Sequence, residues 1–204
     1  MQSDRINTPK CLSFSYKMIS CPLHRCLLFL EMPLLLFVCG CACSDNSVKT
    51  ELRGFMSRTI SFPDTLLVFD EGKMSLGFIP CEREQTLVYF MGYKDCFDCE
   101  ISHLHNLVPI FQKAEFDARF HSVVIIVPEN GNLEHILHAV RHAVFPYPIY
   151  ISMDSEWART SGIPEDSRFH AFLLDKNNHP KLVGNPLSSE KMMSLFEKAL
   201  VNEK

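Results

Sequence analysis

Residues 86–99 read TLVYFMGYKDCFDC: a five-residue β-rich apolar run, Thr86–Phe90, a short connector, and then Cys96-Phe97-Asp98-Cys99. The run is apolar on both sides of the pleat, as a strand buried in the middle of a sheet requires. A helix pattern follows Cys96, with Ile101, Leu104, Val108 and Phe111 at core spacing. Pro109 inside that pattern predicts a kink. At the first turn of a helix, unpaired N–H groups and the positive end of the dipole favour a thiolate. Cys96 is then the exposed nucleophile, and Cys99 lies within reach to resolve a mixed disulfide.

The flanking sequence alternates two periodicities. Thr65–Phe69, Ser122–Val127 (closed by Pro128) and Pro148–Ser152 read as strands, and Asn132–Ala143 and Ser155–Thr160 as helices. His170–Asp175 and Lys181–Gly184 read as a hairpin across Lys176–His179, whose Asn pair suits positive φ. Met192, Leu195, Phe196, Ala199 and Leu200 mark a terminal amphipathic helix. Strands separated by helices imply parallel crossovers, and the last two strands imply an antiparallel hairpin. The expected fold class is α/β: one mixed β-sheet flanked by helices on both faces, in a single domain over 65–204.

The first 40 residues read as an address and not as part of this fold. His24 and Arg25 precede CLLFLEMPLLLFVCG, Cys26–Gly40, an apolar stretch shorter than the ~20 residues a membrane span needs. Val38-Cys39-Gly40-Cys41 resembles a bacterial lipobox, which makes 1–40 a lipoprotein-type signal peptide and Cys41 the lipidation site. Acyl chains on Cys41 hold the domain on a membrane surface outside the cytoplasm, where disulfides persist. Residues 41–64 then read as tether and lead-in.

Of the chain's 9 Cys, six lie in the first 43 residues, which is not how a disulfide-stapled miniprotein spreads them. The part from Cys41 onward carries 16 Lys/Arg against 22 Asp/Glu, a charge of −6, so no basic surface points to nucleic acid.

The strand–CxxC–helix arrangement resembles the thioredoxin superfamily. The β-α unit inserted before the final hairpin, the string FHAFLLDKNNHPKLVGNP and the lipid signal resemble its TlpA-like branch of extracytoplasmic, periplasmic thiol–disulfide proteins, over about Leu66 to Val201. The resemblance implies Cys96 as attacking thiol, Cys99 as resolving thiol, exchange with protein thiols or disulfides without a cofactor, and a membrane-bound thiol reductase as electron donor. Proteins of this kind place a cis-proline before the penultimate strand, facing the CxxC. Here Phe169 holds that position, with Arg168 beside it, and Pro164 lies five residues too early. These two residues are the candidate substrate groove. Asp95, Asp98 and Glu100 put negative charge beside the thiols and Lys94 and His103 oppose it, which favours a reducing or isomerase-like poise over a strong oxidant.

Two other functions compete with an oxidoreductase. Cys96, Cys99 and His103 share a helix face and offer three soft ligands for copper or zinc delivery. A non-catalytic binding module on the same fold is the other. His135, His138 and His142 cluster opposite their helix's apolar stripe and read as a solvent face. Cys81 reads as a loop thiol, and Trp157 as a core or rim aromatic.

Overall fold

The Thr86–Phe90 run forms the middle of strand β3 (Gln85–Met91), whose seven residues are all buried. In this computed structural model the described residues are 43–80, 83–92, 96–128 and 132–201. The signal-peptide reading, Cys41 and Cys81 lie outside them. Residues Asn46–Lys204 form one compact unit.

Around β3 the chain lays down α1 (Cys43–Met56), β1 (Leu66–Asp70), β2 (Lys73–Gly77), α2 (Phe97–Ser102), a 3₁₀ turn at Leu104–Leu107 and α3 (Val108–Phe116). Then come β4 (Phe120–Ile126), α4 (Leu133–His142), β5 (Ile149–Ile151), α5 (Ser155–Ser161), β6 (Ala171–Leu174), β7 (Pro180–Val183) and α6 (Glu190–Val201). The seven strands make one mixed sheet in the order β2-β1-β5-β4-β3-β6-β7. β3, β4 and β5 run parallel, as their helical crossovers require. β6 departs from that rule: although α5 precedes it, it pairs antiparallel with β3. The connection passes over β4 and β3 but leaves β5 and enters β6 at the same end of the strands, so β6 runs back along β3.

Alternation along β3 sends Leu87, Tyr89 and Met91 to one face and Val88 and Phe90 to the other. The first face is covered by Ile101, Ile110 and Phe111, by Ile136 and Val140, and by Phe196 and Leu200. The second is covered by Phe55, Ile60, Trp157 and Ala158. Trp157 is buried and donates its indole N–H to the Ser61 carbonyl at 2.5 Å.

Two elements differ from the sequence reading. The lead-in read as a polar tether contains α1, and Phe55 at its end meets Phe172 edge-on at 5.1 Å between ring centroids. Ile60 is fully buried and its N–H donates to the Asn178 carbonyl at 2.9 Å. The other is β2, paired with β1 across Glu71 (φ 47°) and Gly72 (φ 78°), a two-residue turn with both φ positive. Pro109 breaks the helix after Cys96 as expected: α2 stops at Ser102, a 3₁₀ turn intervenes, and α3 restarts with Pro109 in its first turn.

Candidate thiol site and its groove

β3 delivers its C-terminal end at Met91, and α2 begins six residues further on, at Phe97. Cys96 is the N-cap of α2, with φ −75° and ψ 91°, and its carbonyl accepts the Glu100 N–H at 2.9 Å. Cys99 lies one turn on. Both cysteines are exposed and not joined by a disulfide, and their sulfurs share a hydrogen bond at 2.6 Å. Phe97 between them packs against the core, which turns the two thiols to solvent on the other side of the turn. That hydrogen bond and the charge of Cys96 hold the Cys99 thiol above its ordinary pKa, and Asp98 and Glu100 add to the effect. Asp98 and Glu100 thus act on the second cysteine, behind the larger effect of Cys96 itself.

Asp98 has a partner that spacing alone does not reveal. His135, near the start of α4, brings Nε2 to 3.3 Å from Asp98 Oδ1. Asn132 caps that helix by accepting the His135 N–H. His138 and His142 stack further along the exposed face, with ring centroids 4.8 Å apart.

Arg168 and Phe169 sit on a 3₁₀ turn, Ser167–Phe169, immediately before β6. Asp166 caps the turn by accepting the Arg168 N–H and also binds the Arg168 guanidinium, with Nη2 2.5 Å from Oδ2. The guanidinium holds the Asp166 carboxyl down to about 2 and lies 5.7 Å from the centre of the Phe169 ring. No cis peptide bond occurs among the described residues, so Phe169 takes this place with a trans bond. Arg168 and Phe169 line a groove of about 590 Å³ with Glu100 and His103, closed at its far end by Asn185 and Met192. Tyr89 forms part of its wall and donates its hydroxyl to Asn185 Oδ1 at 3.2 Å; burial pushes that phenol's pKa up.

His103 terminates α2 as its C-cap, and its side chain is exposed. Among the described residues no three His, Cys, Asp or Glu side chains converge as a metal ion requires. Cys96, Cys99 and His103 are accordingly not assembled as a ligand set.

Sequence reasoning missed His170. It is buried, its Nε2 meets the Pro164 carbonyl at 2.9 Å, and its ring meets Phe90 edge-on at 5.0 Å. Its carbonyl accepts the Phe90 N–H at 2.7 Å, which ties the turn before β6 to the end of β3. The sequence held one signal for this, a histidine at the head of a fully apolar strand.

Taken together, a CxxC capping the helix after the central strand, and a mixed sheet ending in an antiparallel hairpin and a helix, give the thioredoxin-like α/β fold. No protein-family model and no curated protein matches the chain. Solved structures similar to it include a thioredoxin-like protein in its oxidised form, at 12% identity and TM-score 0.49 over 73% of this chain and 99% of that one. An exposed lipoprotein thioredoxin of Streptococcus pneumoniae is 11% identical, with TM-score 0.46 over 66% of this chain and 98% of that one. A thioredoxin-like protein from Porphyromonas gingivalis is 12% identical, with TM-score 0.44 over 70% and 92%.

Proposed function

We propose that this protein is a thiol–disulfide oxidoreductase acting through Cys96 and Cys99 on cysteine-containing proteins outside the cytoplasm. The observation that carries the reading is the pair of exposed sulfurs 2.6 Å apart at the start of the helix that follows the central strand. In the first step the Cys96 thiolate attacks one sulfur of a partner's disulfide. A Cys96–partner disulfide forms, and the partner's other sulfur leaves as a thiolate that takes up a proton. Cys99 then loses its proton and attacks Cys96 Sγ. The 96–99 disulfide forms and the partner's second sulfur leaves, so the partner has gained two electrons and two protons. The hydrogen bond and charge of Cys96, with Asp98 and Glu100 behind them, keep Cys99 protonated, which suits a resolving thiol that must wait until the mixed disulfide exists. They also suit a reducing or isomerase-like poise.

In this reading residues 1–40 are a lipoprotein signal peptide, lipid on Cys41 holds the domain at a bacterial membrane, and a membrane-bound thiol reductase returns the electrons. No helix among the described residues is long and apolar enough to cross a membrane. Arg168 and Phe169, in the groove whose lining includes Glu100, the residue after Cys99, receive the partner chain.

The test is insulin disulfide reduction by residues 43–204. The native protein turns over with dithiothreitol as donor, Cys96→Ser is inactive, and Cys99→Ser accumulates mixed disulfides that thiol trapping and mass spectrometry identify. Full activity in Cys96→Ser defeats the reading.

A further inference from the structure

A second recess lies at the C-terminal end of β3, on the other face of the sheet from most of the groove's wall. It measures about 220 Å³ and is walled by Phe90, Ala158, Ile163, Pro164 and His170, with Gly92 at its edge. Arg159 and Glu165, both exposed, stand at its mouth. Phe90 and His170 are walls of both the recess and the groove, so the two cavities flank one turn, Ser167–Phe169. Gly92 is four residues from Cys96, and four residues span at most about 14 Å even when fully extended. The recess therefore lies within reach of the thiols for any chain that has a cysteine bonded there.

We infer that this recess is a specificity pocket for one large apolar side chain, Phe, Leu or Met, of the partner polypeptide, placed up to four residues from the partner's reacting cysteine. The inference rests on the thiol-exchange reading above. The size of the recess supports the occupant, since a dry cavity of about 150 Å³ already accepts benzene. Its walls agree: four of the five are hydrocarbon or aromatic, and the fifth, His170, already engages the Pro164 carbonyl through Nε2. The wall is also preformed. Besides that contact, the His170 carbonyl holds the Phe90 N–H and the two rings meet edge-on, so binding orders little that is not already fixed. At the mouth Arg159 is ion-paired with Glu156 on its own helix, leaving the apolar interior as the part that discriminates.

The experiment compares reduction of two disulfide-linked peptides that differ only in the residue three positions from the cysteine, Phe in one and Ser in the other. We expect kcat/KM to favour the Phe peptide at least about tenfold, as apolar pockets discriminate. Ala158→Trp, which fills the recess, brings the ratio close to one, and Ile163→Ala, which enlarges it, moves the preference towards a Trp peptide. Ratios are used because a general loss of activity cancels from them. A second arm titrates N-acetyl-phenylalaninamide into ¹⁵N-labelled Cys96→Ser/Cys99→Ser protein, where amide shifts are expected at Gly92, Ala158 and Ile163. A ratio near one in active native protein overturns the inference and leaves the oxidoreductase reading standing. If no peptide is reduced, that reading falls and the second arm decides the recess: shifts there support the apolar pocket, and their absence overturns it.

Discussion

Acid should unfold this protein through one side chain, His121, well before its carboxylates matter. His121 lies on β4 opposite Thr86, and its Nε2 meets Thr86 Oγ1 at 3.2 Å. Nδ1 is buried and has no partner among the described residues. A proton there would create a buried cation with nothing to accept its N–H, in the field of Arg83, whose guanidinium is held by the carbonyls of Ala114, Asp117 and Phe120. Burial first, and Arg83 second, push the imidazole from 6.5 down to about 4. Stability is therefore whole above pH 6.5 and is lost as pH falls towards 4, because across that window the unfolded chain takes up a proton that the folded chain refuses. A gap from 6.5 to about 4 amounts to about 3 kcal/mol in full, of which about 2.5 kcal/mol is gone by pH 4.5. Asp117, Asp166 and Glu197 are all held below their ordinary values by Arg119, Arg168 and Lys113, so their losses fall at and below about pH 4.5. Urea unfolding followed by the fluorescence of Trp157, the sole tryptophan, measures this at pH 7, 6, 5 and 4.5. His121→Gln, which can keep a partner for Thr86 without titrating, should flatten the curve over that range. Equal slopes in the two proteins would refute the reasoning.

Three further outcomes follow from the geometry. Asp98→Asn removes one of the charges that keep Cys99 protonated, so the alkylation rate of Cys99 by iodoacetamide should rise at a lower pH than in the native protein; an unchanged profile counts against the electrostatic account. Phe55→Ala should cost about 3–5 kcal/mol in urea unfolding, the toll of emptying a buried aromatic site, and a chain starting at Thr65 should be less stable still. Trp157→Phe should cost about 1–3 kcal/mol by far-UV melting, because it strands the Ser61 carbonyl that the indole N–H now satisfies.

What could be read in advance, and what could not, divides along a physical line. The central strand, the CxxC and the helix after it are consecutive, and each carries its own signal: an unbroken apolar run, a cysteine spacing, a 3.6-residue repeat. The broken helix was legible too, because Pro109 forbids the hydrogen bond that would continue it. α1 gave no such signal: CSDNSVKTELRGFM is mostly polar, with Val48, Leu52, Phe55 and Met56 as scattered apolar positions, and Phe55 joins the core where its ring meets Phe172. β2 hid for a related reason. KMSLG has no β-branched residue and sits at the sheet's outer edge, so its partner and the Glu71-Gly72 turn make it a strand. At the site the same division holds. The two thiols are neighbours in the chain, whereas the contact of Asp98 with His135 and the His170 wall shared by two cavities join segments more than 35 residues apart. A sequence states local chemistry directly, and here that is the cysteine pair. The choice of partner belongs to walls contributed by 90–92, 158–165 and 170, which no single stretch of chain spells out. A chain that kept its CxxC but lost the recess should therefore keep its redox chemistry and lose its discrimination, and the paired-peptide assay separates those two losses.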